Sequence, residues 1–155
     1  MKQSRINKEA YYLNIAESIL ERSTCLRRQY GAVIVRNDEI IATGYNGSPR
    51  GCYNCNEIGK CIREEQNIPQ GQRYELCRSV HAEANAIISA ARKDMIGATL
   101  FLAGWDCKGN EYITNAEPCS MCKRLILNAG IAKVITRCNS GVIHITDTND
   151  YAVEI

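Results

Sequence analysis

Ahead of residue 25 the apolar positions Tyr12, Ile15, Ala16, Ile19 and Leu20 recur every three or four residues, the spacing of one helix face. Asn7 precedes them as a capping side chain, so the spacing predicts a helix from 7 to about 25. The period then changes. Gly31-Ala-Val-Ile-Val-Arg36 is a β-branched run, Asn37-Asp38 is a turn signal, and 40–45 reads as the returning strand of a hairpin. From 46 to 79 no period holds, and the stretch carries Gly47, Pro49, Gly51, Gly59, Pro69, Gly71 and four cysteines. A structureless segment this long inside a compact domain implies either a functional loop or a stapled one. Periodicity returns with a helix from 81 to about 93, a strand over 98–103, and a polar hairpin excursion over 104–115 with Lys108-Gly109-Asn110 at its tip. A second helix starts at Pro118, which suits a first-turn position, and stops at Asn128-Ala129-Gly130. A strand over 132–137 and a short strand-like piece over 142–145 complete the chain. Helix, hairpin and two strand–helix alternations predict an α/β fold, with a mixed sheet of about five strands and helices on its faces. No repeat or linker divides the sequence. Residues 1–155 therefore read as a single domain, with 46–79 as a cysteine-rich loop insertion and 104–115 as a hairpin excursion.

Composition narrows the function classes. Apolar residues make up 45% and charged residues 23%, an ordinary balance for a soluble globular chain. The net charge of +2 argues against a nucleic-acid partner, whose surface usually shows as a strongly basic domain. No apolar run approaches the roughly eighteen residues of a membrane span. The N-terminal Met1-Lys2-Gln3-Ser4-Arg5 leads into an amphipathic segment instead of a signal-peptide block, so the expected compartment is the cytoplasm. Nine cysteines, an odd count without a signal peptide, point to metal ligation more than to a disulfide framework.

The chemistry concentrates in two motifs. His81-Ala82-Glu83 opens one predicted helix and Pro118-Cys119-Ser120-Met121-Cys122 opens the other. Zinc needs three protein ligands and one open position to activate water, and one His with two Cys meets that requirement. Cys119 and Cys122 stand three apart on one helix face, in a first turn whose unpaired amides and dipole favour thiolates. His81 adds a neutral nitrogen, so two thiolates and a dication sum to zero charge. Thiolates donate strongly, which makes such a centre a weaker Lewis acid than an all-His site. A base beside it must complete the ionisation of water, and Glu83 is that base. It would pass the proton to the ring nitrogen of a nucleobase and then to the departing amine, which leaves as ammonia. His-x-Glu alone carries little weight, whereas its pairing with Pro-Cys-x-x-Cys in this order is specific. The competing reading is a closed structural zinc site with Glu83 as fourth ligand.

With Gly31-Ala-Val-Ile-Val, Gly44-Tyr45-Asn46-Gly47-Ser48-Pro49-Arg50-Gly51, His81-Ala-Glu-Ala-Asn-Ala-Ile87 and Asn128-Ala-Gly-Ile131, the sequence resembles the deoxycytidylate (dCMP) deaminase family over roughly 7–137. The two zinc motifs belong to the wider cytidine deaminase superfamily, and Gly-Tyr-Asn-Gly-x-Pro with Asn85 points to the deoxycytidylate branch. The resemblance implies a cytidine deaminase-like three-layer α/β/α fold. It places His81, Cys119 and Cys122 on a catalytic zinc, with Glu83 as proton shuttle. By the same resemblance Asn46 contacts the substrate sugar and the Ala82 backbone contacts the cytosine edge. Arg27 or Arg28 is the candidate for the phosphate, the other reading of that pair being a solvated helix end. Many members are hexamers switched on by dCTP and off by dTTP, so a homo-oligomer, hexamer or dimer, is implied. Some members carry a second, structural zinc; on that analogy Cys25, Cys55, Cys61 and Cys77 are its ligands, with Cys52 as competitor and free thiols in the loop as the alternative. The 104–115 excursion, with Trp105 and Cys107, departs from the simplest pattern and suggests a substrate lid or an oligomer contact. The short stretch after Arg137 suggests that the last helix and strand of longer members are missing or reduced.

The expected activity is hydrolysis of dCMP to dUMP and ammonia, which feeds thymidylate synthesis. The alternatives keep the chemistry on another substrate (cytidine, deoxycytidine, guanine or a tRNA adenosine), or abandon it for a non-catalytic, zinc-stabilised binding module. Glu83 speaks against the last, because a scaffold has no need of an unliganded carboxylate two residues from a ligand.

Overall fold

The computed structural model describes residues 4–138 and 140–154; the lead-in at Met1-Lys2-Gln3 lies outside them. Helix α1 runs over Lys8–Leu20, capped by the Asn7 side chain, which accepts from the Ala10 amide at 2.7 Å. It ends at Leu20, the last apolar position of the period and short of the expected limit near 25. Strands β1 (Arg28–Arg36) and β2 (Glu39–Tyr45) form the expected antiparallel hairpin. Asn37 and Asp38 both adopt positive φ at its turn, the conformation that matches the twist of the flanking strands. The aperiodic stretch holds only short pieces: α2 (Cys55–Ile58), α3 (Ile62–Glu65) and a 3₁₀ turn (Tyr74–Leu76).

The helix expected over 81–93 is two helices, α4 (Ala82–Ile88) and α5 (Arg92–Met95). The Ser89 hydroxyl bonds back to the Asn85 carbonyl at 2.8 Å, and Ala91 is extended. The break lets Arg92 donate to the Asn128 carbonyl at 2.8 Å and turns Met95 into the core. Strand β3 (Thr99–Asp106) is longer than expected and pairs through β4 (Glu111–Tyr112) with the returning arm of the excursion. Helix α6 covers Ser120–Ala129 and starts two residues after Pro118, because Cys119 takes the cap position with extended backbone. It ends at Gly130 in the left-handed conformation, as expected. Strands β5 (Lys133–Arg137) and β6 (Ile143–Asp147) precede a closing 3₁₀ turn, Thr148–Val153, whose Tyr151 is buried.

Among the described residues the sheet has six strands, one more than the patterning suggests, in the order β2-β1-β3-β5-β6 with β4 beside β3. Only β3 and β5 are parallel, so the sheet is mixed. Alternation along β1 sorts the core into two layers. Val33 and Val35 pack with Leu13, Ala16, Leu20, Phe101 and Ile135 under α1. Ala32 and Ile34 face the opposite way and pack with Leu100, Leu102, Ala86 and Ile126 under α4 and α6. Helices thus cover both faces, and α4 and α6 touch each other on one of them.

Candidate metal centre and active site

The starts of α4 and α6 meet. His81 is the N-cap of α4, Cys119 is the N-cap of α6, and Cys122 lies one turn further in. His81 Nδ1 stands 3.4 Å from Cys119 Sγ and 3.4 Å from Cys122 Sγ. Tetrahedral zinc with bonds of about 2.3 Å to sulfur and 2.0–2.1 Å to nitrogen holds those atoms roughly 3.5 Å apart. The donor set and its spacing therefore fit zinc. Among the described residues, three such donors come within 4.8 Å of one another only here, and Glu83 is not one of them.

Electrostatics divides the two thiols. Cys119 is held down to about 4, first by its hydrogen bond with Cys122, then by His81 and the Cys122 backbone amide. Cys122 is pushed up, first by its hydrogen bond with Cys119 and then by burial. The hydrogen bond to Cys119 raises His81. Cys119 Sγ also accepts from the Cys122 amide at 3.5 Å, the side-chain cap of α6. The sulfur that caps the helix is also one of the three donors.

Glu83 is 5% exposed, and burial pushes its carboxyl above the usual carboxylate range. It lies near enough to influence His81, Cys122 and Tyr30 electrostatically, two residues past His81. A buried carboxylate with a raised proton affinity, two residues from a donor of a three-donor site, is suited to shuttle protons.

The substrate-side candidates occupy different settings. Asn46, at the end of β2, is buried; its Oδ1 accepts from Ser23 Oγ at 2.6 Å and from the Tyr30 amide at 2.8 Å, while Nδ2 donates to the Arg28 carbonyl at 2.9 Å. One Nδ2 hydrogen is left for another partner. Ala82 is fully buried at the head of α4, and Asn85 ties that helix to β2 through the Tyr45 carbonyl at 2.8 Å. Arg27 and Arg28 diverge. Arg27 pairs its Nε with Glu64 at 3.2 Å and keeps a buried Nη1 without a partner among the described residues. Arg28 alternates onto the Tyr30 side of β1, and its charge acts on Tyr30 and Tyr74.

Burial first, and then Cys25, Cys77 and Cys61, push the Cys55 thiol up, but no three of these four sulfurs come within 4.8 Å of one another, so the structure does not assemble them as the His81 centre is assembled. Cys52 is exposed. Cys107 lies beside Cys25, and Lys108 at the tip of the excursion joins Arg27 on Glu64, with its Nζ at 2.6 Å. The excursion therefore braces the cysteine-rich loop, while Trp105 packs edge-on against Tyr112. Two residues close to the centre have no signal in the sequence, Tyr74 and Arg63. Both sit in the aperiodic loop, where spacing gives no face.

A mixed sheet with a His/Cys/Cys donor set at two helix starts and a buried carboxylate two residues past the His defines a cytidine deaminase-like domain. The family model of the cytidine and deoxycytidylate deaminase zinc-binding region matches residues 6–138, and the chain belongs to that family. The deoxycytidylate deaminase of Mycobacterium phage D29 is 38% identical over 85% of this chain and 95% of its own length. That of Schizosaccharomyces pombe is 36% identical over 82% of this chain, which spans 36% of the yeast protein. The crystal structure of dCMP deaminase from the cyanophage S-TIM5, in complex with dCMP and dUMP, superposes with a TM-score of 0.60 at 28% identity, over 86% of this chain and 84% of that one.

Proposed function

We propose that the chain is a zinc-dependent dCMP aminohydrolase, a single catalytic domain that converts dCMP and water to dUMP and ammonia. The observation that carries this reading is the buried Glu83 carboxylate two residues past His81, in a protein whose His81, Cys119 and Cys122 form a donor set of zinc geometry. His81, Cys119 and Cys122 would hold the metal, and bound zinc supplies a Lewis acid that lowers the pKa of water. Glu83 removes a proton from the attacking water and delivers it to N3 of the cytosine ring. The water oxygen adds to C4. Glu83 then carries the second proton to the exocyclic amine, the C4–N bond breaks, and ammonia leaves a C4 carbonyl. The burial of Glu83 keeps bulk water from competing for that proton. The Ala82 amide at the start of α4 meets the base edge, and the free Nδ2 hydrogen of Asn46 meets the sugar.

Arg27 or Arg28 reads the 5′-phosphate. A charge-assisted bond to phosphate contributes roughly 1.5–3 kcal/mol, so replacing the anchoring arginine by glutamine raises KM for dCMP about 10- to 100-fold. Ammonia release from dCMP and from deoxycytidine, with and without dCTP, tests the reading. Turnover of dCMP that dCTP increases is expected, and Arg27→Gln and Arg28→Gln identify the anchor. Turnover of the nucleoside alone would remove both arginines from the site and shift the substrate to a free nucleoside.

The family reading extends to a cytoplasmic homo-oligomer, hexamer or dimer, with dCTP and dTTP as effectors. Met121 and Leu125, one turn apart on α6 and exposed, support a self-association face there. A second, structural zinc on Cys25, Cys55, Cys61 and Cys77 rests on the family resemblance, and metal binding would have to draw the sulfurs together, since no three of them come within 4.8 Å of one another. It would order a loop whose own composition cannot. Metal analysis should then return two zinc per chain, with one lost in His81→Ala and the other in Cys61→Ser. A single zinc, unaffected by Cys61→Ser, would leave the four cysteines as free thiols.

A further inference from the structure

A histidine that ligates zinc through one ring nitrogen ordinarily gives its other N–H to a carboxylate or carbonyl, and that bond fixes the plane of the ring. His81 turns Nδ1 to both sulfurs, and among the described residues no hydrogen-bond partner meets Nε2. Both contacts to sulfur are made by one atom, so they leave the ring free to swing about it. Tyr74 meets the imidazole instead, with ring centroids 4.9 Å apart and planes at 90°. Behind Tyr74 lies Arg63, its Cζ 4.7 Å from the centre of the phenol ring. Arg63 is 7% exposed and makes no ion pair among the described residues. Its Nη2 donates to the Pro69 carbonyl at 3.1 Å, and its Nε is buried without a partner. A buried guanidinium lacking a counter-ion is costly unless other contacts stabilise it, and the face of Tyr74 is the contact it has.

We propose that Tyr74, backed by Arg63, is the positioning residue for the metal-ligating His81, standing where a hydrogen-bonded carboxylate ordinarily stands. The pair takes no part in the chemistry. It holds the imidazole plane in the orientation that aims Nδ1 at the metal, and it does so with a neutral π system in place of an anion. The support comes from the 46–79 loop. Arg63 lies two residues from Cys61, and Tyr74 three from Cys77, so the order of the cysteine-rich loop reaches the metal centre through two stacked side chains. The inference rests on His81 being a zinc ligand, as proposed above.

Zinc affinity measured by chelator competition tests it, together with thermal melting and the kcat and KM for dCMP. The affinity followed is that of the site lost in His81→Ala. Should His81→Ala bind as much zinc as the parent, the ligand assignment fails, independently of the brace. Removing an outer partner of a zinc ligand costs about 10- to 100-fold in metal affinity or activity, and that is the loss expected of Tyr74→Leu, in affinity and in kcat, with KM little changed. Tyr74→Phe keeps the ring and should restore most of the affinity. Arg63→Gln should lose part of it, and the double variant Tyr74→Leu/Arg63→Gln should lose no more than Tyr74→Leu alone. Parental zinc affinity in Tyr74→Leu would overturn the proposal, as would a Tyr74→Phe protein as weak as Tyr74→Leu. If Tyr74→Leu does not fold, Arg63→Gln carries the test, and parental affinity in that variant overturns the brace.

Discussion

Glu83→Gln is expected to bind zinc as the parent does and to lose about 10²- to 10⁴-fold in kcat, the range that general acid–base catalysis contributes. The amide keeps the shape of the carboxylate and its place at the second position of α4. What it cannot do is accept a proton and release it again. KM for dCMP should move little, because base, sugar and phosphate are held by other groups. The stability of the variant should equal or exceed that of the parent. Burial already penalises the charged form of Glu83, and a neutral amide escapes that penalty. This combination separates catalysis from structure. Were Glu83 a fourth ligand in a closed site, the substitution would weaken zinc binding and lower the melting temperature together. A zinc-loaded Glu83→Gln protein with kcat within about tenfold of the parent would remove Glu83 from the proton path altogether.

The candidate donor set is legible in the sequence because its geometry is local. Cys119 and Cys122 are one helical turn apart, His81 and Glu83 two residues apart, and each pair begins a helix whose start the patterning marks. Bringing the two starts together takes a sheet with both helices on one face, which the strand–helix order leaves open and the fold supplies. The boundaries are less legible for a related reason. Pro118 suits a first helical position, but Cys119 has a side chain that can accept the Cys122 amide, and the cap goes to the residue with the acceptor. The apolar period over 81–93 runs unbroken through Ser89, yet the chain breaks there because Arg92 gains the Asn128 carbonyl and Met95 a buried site. No single-segment pattern contains those partners.

Asn46 shows how a motif can carry two kinds of information. The family resemblance reads it as a sugar contact. In the fold its side chain ties three segments: Ser23 after α1, and Tyr30 and Arg28 on β1. Its position is therefore fixed by the architecture, with one donor hydrogen to spare. Tyr74 and Arg63 illustrate the opposite limit. Their contacts with each other and with His81 depend on how an aperiodic loop folds back, and neither periodicity nor spacing encodes that return.

Gly44 belongs to the same Gly-Tyr-Asn-Gly run, and the structure gives its reason. A Cβ at Gly44 would fall on the carbonyl oxygen of Ala82, 2.5 Å from the Ala86 amide nitrogen and 3.0 Å from the Asn85 carbonyl carbon. Every one of these atoms is backbone of α4, so no side-chain rotation relieves the clash. Helix α4 must move away from β2, which breaks the Asn85 bond to the Tyr45 carbonyl and shifts the helix that carries Glu83 and is capped by His81. Overpacking that a core can absorb costs about 1–3 kcal/mol; a clash with rigid backbone on two sides should exceed that, and we expect Gly44→Ala to lose more than about 3 kcal/mol. Gly109→Ala is the matched control. Its Cβ would meet the Asp106 side chain at 3.3 Å, at the exposed tip of the hairpin, and a change of within about 0.5 kcal/mol is expected there. Urea unfolding of both variants at saturating zinc measures the difference. The zinc affinity of whatever Gly44→Ala remains folded should fall as well, because the displaced helix no longer presents His81 to the two sulfurs. A Gly44→Ala protein that unfolds within about 0.5 kcal/mol of the parent would mean that α4 does not lie this close to the sheet, and the placement of His81 and Glu83 would have to be revised with it.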